Sequence, residues 1–253
     1  MLETKYQLAC TIVLEAGEFI RSHLDDELEI EEKTNFTDLV TQFDKQVQKK
    51  LEQGIKKYYP QDLIFGEEGG DVSSIKNDNV WVIDPIDGTS NFVAQRNDFA
   101  ILVAYFENGI GQFGIIYDVM QDKLFHGGGV FPVYCNHQRL EAPATRPLHQ
   151  TLLGVNAQLY ADNHHGLADL AQATLGTRSV GSAGIGFSHV LEGRLFAYAS
   201  YIYPWDYAAA SIIGQALGMS MISLDEKELS YDKREGVILV SNHQLEEVKR
   251  YLF

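Results

Sequence analysis

Cysteine is nearly absent from this chain. Of 253 residues only Cys10 and Cys135 are cysteines, too few for a disulfide framework, and that usage suits a reducing compartment. Positive charge is also short. Lys and Arg number 20 against 35 Asp and Glu, a formal net charge of -15. That balance argues against non-specific binding to nucleic acid or to an anionic membrane surface. No apolar run approaches the roughly 20 residues of a membrane span, so no membrane partner and a cytoplasmic location are expected. Internal repeats and low-complexity segments are missing. "HGGGV" at 126–130 is similar to an esterase oxyanion loop, but no G-x-S-x-G elbow accompanies it, so it reads as a hairpin turn. "GSAGIG" at 181–186 has its glycines in the wrong order for a dinucleotide fingerprint.

What is present is an ordinary globular composition, 45% hydrophobic and 22% charged, in a chain long enough for a large core. Leu2, Tyr6, Ala9, Val13, Ala16, Ile20 and Leu24 recur at helical spacing and predict a helix over 2–24. "DDELEIEE" reads as a solvated connection. Val40, Phe43, Val47, Leu51 and Ile55 mark one face of a second helix that ends before Pro60. Short strands are expected at "DLIFGEEGG" and "NVWVID". Residues 99–129 read as three antiparallel strands with tight turns at Asn108-Gly109 and near Gln121-Asp122. "EAPATRP" at 141–147 reads as a linker, dividing the chain into 1–140 and 141–253. After it come strands at "TLLGVN", "TRSV", "RLFAYAS" and "VILVS", and helices over 162–174, 182–192, 205–217 and 242–252. That second half alternates α and β.

The chemistry gathers at "WVIDPIDGTSNF", residues 81–92. Asp84 ends an apolar strand, and Pro85 is expected to stop the ladder there. Gly88 permits an unusual backbone angle, and Thr89 and Ser90 are able to cap a short helix. Taken alone, Asp-Gly is a turn and Asp84 a cap. "FGEEGG" adds Glu67 and Glu68 at a strand end, and "YPWDYAAA" adds Asp206 at a helix start. By themselves these read as a solvated loop and an N-cap. Together, oxygen ligands of this kind suit Mg²⁺, and helix N-termini suit phosphate.

Combined, these motifs resemble the inositol monophosphatase family of Mg²⁺-dependent, lithium-sensitive phosphatases. Its GEE loop stands here as Gly66-Glu67-Glu68. Its (I/V)DPIDGT turn is Ile83 to Thr89, and its WD helix start is Trp205-Asp206. Lys33, Asp38, Thr41 and Asp44 match the family's K…D-x-V-T-x-x-D spacing, and "RSVGSAG" at 178–184 matches its RSxGSA segment. The resemblance implies a layered αβαβα sandwich, α+β in its first part and α/β in its second, often dimeric. It implies Glu67, Asp84 and the carbonyl of Ile86 for one Mg²⁺, and Asp84, Asp87 and Asp206 for a second. A third, weaker ion would share Glu67. Thr89, bonded to Asp44, would join Glu67 in positioning the attacking water. The amides of Gly88 and Thr89 would hold phosphate, and Asp87, Gly181, Ser182 and Ala183 would line the alcohol side.

The expected activity is hydrolysis of a small phosphate monoester, inositol monophosphate first. The resemblance departs at one point. In inositol-specific members a glutamate seven residues before the WD aspartate contacts a substrate hydroxyl, which puts that position on the cleft, and this chain has Ala199 there. The same machinery acting on a sugar bisphosphate, NADP or a 3′-phosphonucleotide is therefore the alternative. A regulatory binding protein on this fold is the rival of another class.

Overall fold

A computed structural model describes residues 1–33 and 39–253. Residues 34–38, Asp38 of the family spacing among them, lie outside the described residues. Helix α1 spans Leu2–Ser22 and buries Ala9, Val13, Ala16 and Ile20 of the expected stripe, and Ile12 beside them. The acidic connection is not wholly irregular. Its Ile30–Glu32 forms β1, paired antiparallel with β2, Leu39–Thr41. Helix α2, Gln42–Tyr58, therefore starts later than its apolar period suggests. Thr41 fixes that start. Its Oγ1 accepts from the Phe43 amide at 3.1 Å, while Asp44 accepts from the Thr41 amide at 2.7 Å.

The first sheet has eight strands. In chain order they are β3 (Leu63–Gly66), β4 (Gly69–Gly70), β5 (Asn79–Asp87), β6 (Ala100–Glu107), β7 (Ile110–Asp118), β8 (Lys123–Gly128), β9 (Phe131–Cys135) and β10 (Gln138–Arg139). Their spatial order is β10-β9-β8-β7-β6-β5-β3-β4, and β3 with β5 is the parallel pair. Helix α3, Thr89–Gln95, sits between β5 and β6 in the chain. The turn at Asn108-Gly109 has φ of 51° and 77°, as the hairpin reading requires.

The second half runs through β11 (Leu153–Val155), α4 (Ala157–Ala161), α5 (Leu167–Gln172), β12 (Thr177–Arg178), α6 (Ala183–Leu191), β13 (Ala197–Ile202), α7 (Pro204–Ala216), β14 (Met219–Ser223), β15 (Glu235–Ser241) and α8 (Leu245–Leu252). Its five strands lie in the order β12-β11-β13-β15-β14. Strand β14 is absent from the sequence reading, because an edge run of Met-Ser-Met-Ile-Ser alternates only weakly. The single helix expected over 162–174 is broken, since Asn163, His165 and Gly166 take positive φ.

Five layers result. Trp81 and Ile83 of β5 pack toward α1 and α2, while Val80 and Val82 pack toward α6 and α7. A strand covered on both faces is apolar throughout, which is why "NVWVI" shows no alternation. Helices α6 and α7 fill the space between the sheets. At Gly114 a Cβ would come within 2.4 Å of the Ala209 carbonyl oxygen, so β7 and the Ala-rich α7 meet backbone to backbone. Beyond the second sheet, Leu170, Val248 and Leu252 cover Ile238 and Val240. Among the described residues no helix is long and apolar enough to cross a membrane.

Candidate active site

The Asp-Pro-Ile-Asp segment does not end its strand at the proline. Strand β5 continues to Asp87 through a bulge, with Asp84 paired to Leu102 and Asp87 to Ala100. Pro85, having no N–H to give, falls where the ladder is already interrupted. Asp84 accepts from the Ile86 amide at 3.1 Å, which closes the bulge. Gly88 follows with φ 91° and precedes α3. A Cβ there would come within 2.8 Å of the Ser182 Cβ, so the left-handed turn and the close approach both require glycine. Neither Thr89 nor Ser90 caps α3 through its side chain. The Thr89 hydroxyl instead donates to Asp44 Oδ1 and to the Ile86 carbonyl, both at 3.1 Å.

Asp84, Asp87 and Asp206 bring one oxygen each to within 4.8 Å of one another. Asp206 stands in the first turn of α7 and also caps it, accepting from the Tyr203 amide at 2.7 Å. Asp206 is therefore not the N-cap itself, which is Tyr203, but the third helical residue, whose side chain reaches back in a capping box. Asp87 is tied to the start of α6. It accepts from the Ser182 hydroxyl in a short bond, from the Ala183 amide at 3.0 Å and from the Gly184 amide at 2.6 Å. One carboxylate so fastens the bulge of the first sheet to the 181–184 loop.

Electrostatics mark the same place. Burial, then the charges of Glu67, Asp206 and Asp87, hold the Asp84 carboxyl well above its ordinary range. Burial, with Asp87 and Glu67, pushes Asp206 up to about 8. Burial raises Asp87 too, against the pull of its three hydrogen bonds. Burial takes Glu67 up to about 7, although Lys33 pulls it down. Lys33 bonds Glu67 at 2.9 Å and also bonds Glu68 in a short contact. Burial pushes the lysine down, but the two glutamates outweigh it and raise it. Asp44 is buried and raised by burial, while two bonds from Thr41 oppose that.

Buried carboxylates that repel one another suit a cation, which offsets that repulsion. Every donor is oxygen, which fits a hard ion such as Mg²⁺. The structure therefore brings Asp84, Asp87 and Asp206 together. Ile86, Thr89 and Asp44 stand beside them, and Glu67 stands within charge reach, held by Lys33.

Residues 1–251 match the inositol monophosphatase family. The chain belongs to that family. It is 36% identical over 238 residues to the inositol-1-monophosphatase of Bacillus subtilis (strain 168), covering 92% of this chain and 90% of that one. It is 30% identical over 222 residues to the fructose-1,6-bisphosphatase/inositol-1-monophosphatase of Thermotoga maritima, covering 86% and 84%. Its fold superposes with a TM-score of 0.90 on an IMPase/NADP phosphatase complexed with Mg²⁺ and phosphate, at 30% identity over 99% and 95% of the two chains.

Within this inositol monophosphatase fold one sequence expectation is overturned. Ala199 does not face the cleft. Along β13, Tyr198, Ser200, Tyr201 and Ile202 line it, while Ala199 packs with Leu153, Val155 and Ile238 on the other side of the sheet. Within β13 Tyr198 and Ser200 take the cleft face and Ala199 the opposite one, while Tyr201, half exposed near the strand's end, also borders the cleft; counting back from Trp205-Asp206 does not see this. Two charged residues also gain a place that the sequence reading gave no role. Lys33 pairs with the GEE glutamates, and Arg234 lines the cleft. The spacing match at Lys33 was a usable signal. Nothing around "DKREG" announced Arg234.

Proposed function

We propose that the chain hydrolyses a small phosphate monoester, inositol monophosphate first, by attack of water at a Mg²⁺ site. The observation that carries this reading is the convergence of Asp84, Asp87 and Asp206 beside the Gly88–Thr89 turn. Two relatives point the same way by name, an inositol-1-monophosphatase and a bisphosphatase of double specificity. Glu67, Asp84 and the Ile86 carbonyl would hold one ion. Asp84, Asp87 and Asp206 would hold a second, and a third would share Glu67. Bound there, such ions lower the pKa of a water and stabilise a leaving alkoxide.

The chain's own groups then have separate tasks. The Thr89 hydroxyl points its hydrogen toward Asp44, so its oxygen lone pairs are free to accept from the attacking water. Buried Asp44, raised by its surroundings, keeps that hydroxyl oriented. The amides of Gly88 and Thr89 are offered to the phosphate. Asp87, Gly181, Ser182 and Ala183 border the leaving alcohol, where Asp87 holds the α6 entrance in place.

The division into 1–140 and 141–253 belongs to this reading. The first part supplies Asp44, Glu67, Asp84, Ile86, Asp87 and Thr89, and the second supplies the 181–183 loop and Asp206. A homodimer, a cytoplasmic location and lithium inhibition belong to it as well. The test is phosphate release from inositol 1-phosphate. Activity should vanish in EDTA, return with Mg²⁺, and fall with Li⁺ and with excess Ca²⁺, whose larger shell relaxes the octahedral geometry. Full turnover after exhaustive EDTA dialysis refutes the reading. Tight binding of the ester without turnover in Mg²⁺ favours the regulatory binding protein.

A further inference from the structure

Next to Asp87 and Asp206 the cleft continues for about 170 Å³ along β13, past Ser200, Tyr201 and Ile202. Among the described residues that line it, Arg234 is the one cation. It stands in the segment leading into β15 and is exposed. Three features fix its guanidinium. The Nε donates to the Tyr201 carbonyl at 3.0 Å. The guanidinium carbon lies 4.9 Å from the centre of the Tyr201 ring and 5.6 Å from that of Tyr203. The Tyr203 ring is itself stacked on Trp205, with centres 4.7 Å apart and 12° between planes.

Tyr201 and Tyr203 are two residues apart in extended backbone, so their rings point to one side and share one guanidinium. Among the described residues, no carboxylate forms an ion pair with Arg234 and no acceptor engages its terminal amino groups. A planar donor fork, held flat on aromatic faces with its outer N–H groups uncommitted, is shaped for a phosphate or carboxylate. Its position gives this a meaning. The same cleft is bordered by Asp87, Gly181, Ser182 and Ala183, the side assigned above to the leaving alcohol. A chain of formal charge -15 repels a multiply charged ester, and a local cation offsets that repulsion where it matters.

We infer that Arg234 selects esters whose leaving alcohol carries a further anionic group, a second phosphate above all. This rests on the phosphatase reading. Two sources of that second phosphate share the chemistry, a sugar bisphosphate and a dinucleotide. Arg234 in the cleft wall beside Tyr201 gives either one a charged anchor beyond the reacting phosphate.

The experiment compares kcat/KM of the full chain, R234Q and R234K in Mg²⁺ on inositol 1-phosphate, fructose 1,6-bisphosphate and NADP. A charge-assisted bond at an exposed site predicts that R234Q lowers the ratio of the second-phosphate substrate to inositol 1-phosphate about three- to fivefold. The fall should lie in KM rather than kcat, and R234K, which keeps the charge without the fork, should recover part of it. A fall confined to fructose 1,6-bisphosphate names the sugar bisphosphate as the source, and one confined to NADP names the dinucleotide. Both ratios staying within about twofold of wild type, or all three substrates losing the same factor, overturns the inference while the phosphatase reading stands. No phosphate release by the wild type from any of the three overturns both.

Discussion

Replacing Thr89 by alanine separates the proposed chemistry from the fold more cleanly than any ligand substitution. The change removes one hydroxyl, which donates at 3.1 Å to Asp44 and at 3.1 Å to the Ile86 carbonyl. Asp44 would keep its 2.7 Å bond from the Thr41 amide and its 2.6 Å bond from the Thr41 hydroxyl. The buried carboxylate is thus not left without partners, and the cost to folding should be about 1 kcal/mol. In a domain of this size that is a Tm loss of about 2–4 °C. The catalytic loss should be far larger. Orienting a water and relaying its proton contributes about 100- to 10,000-fold, or about 3–5 kcal/mol of barrier.

The backbone N–H of residue 89 survives the substitution, so KM should change little while kcat falls. Thr89→Ser restores the hydroxyl and should recover most of kcat. The assay is steady-state phosphate release at saturating Mg²⁺, with a thermal melt of each variant. If Thr89→Ala keeps kcat within about threefold of wild type, below the span expected of a proton relay, the hydroxyl only ties the bulge to α2. A kcat loss shared equally by Thr89→Ser also removes the hydroxyl from the mechanism.

Asp84→Asn should nearly abolish turnover and leave the metal-free fold intact, because one carboxylate of the cluster is neutralised where burial already favours a neutral group; near wild-type activity at saturating Mg²⁺ refutes the metal assignment. Without divalent ions, stability should fall as pH rises from about 4 to about 8. Glu67 is pushed up to about 7 and Asp206 up to about 8, so over that window the folded chain holds protons that the unfolded chain has released. Melts in EDTA across pH 5–8 should show the decline, Asp206→Asn should flatten it, and saturating Mg²⁺ should reverse it. A metal-free Tm that rises across the window contradicts the folded-state proton count.

The sequence by itself determined the elements whose signals are local. The apolar stripe of α1, the unbroken hydrophobic run of β5 and the Asn108-Gly109 turn follow from period and turn chemistry, and each stands where its residues place it. The motifs around Glu67, Asp84 and Asp206 were legible for the same reason, since each is a few residues long. Other features depended on neighbours distant in the chain. Pro85 was expected to end its strand, yet pairing of Asp84 and Asp87 with β6 carries the strand past it. Thr89 was expected to cap a helix, yet Asp44, 45 residues earlier, takes its hydroxyl. Ala199 was expected on the cleft, but pairing of β13 with β11 and β15 set the phase of the strand and turned that methyl into the opposite core. Strand β14 has too weak an alternation to declare itself and is defined by its partner β15. Arg234 reached the cleft only because the β14–β15 connection returns beside Tyr201. Period and turn chemistry act over a few residues. Strand phase, hydrogen-bond partners and charge proximity are fixed only when remote segments pack together, and only the tertiary structure decided them.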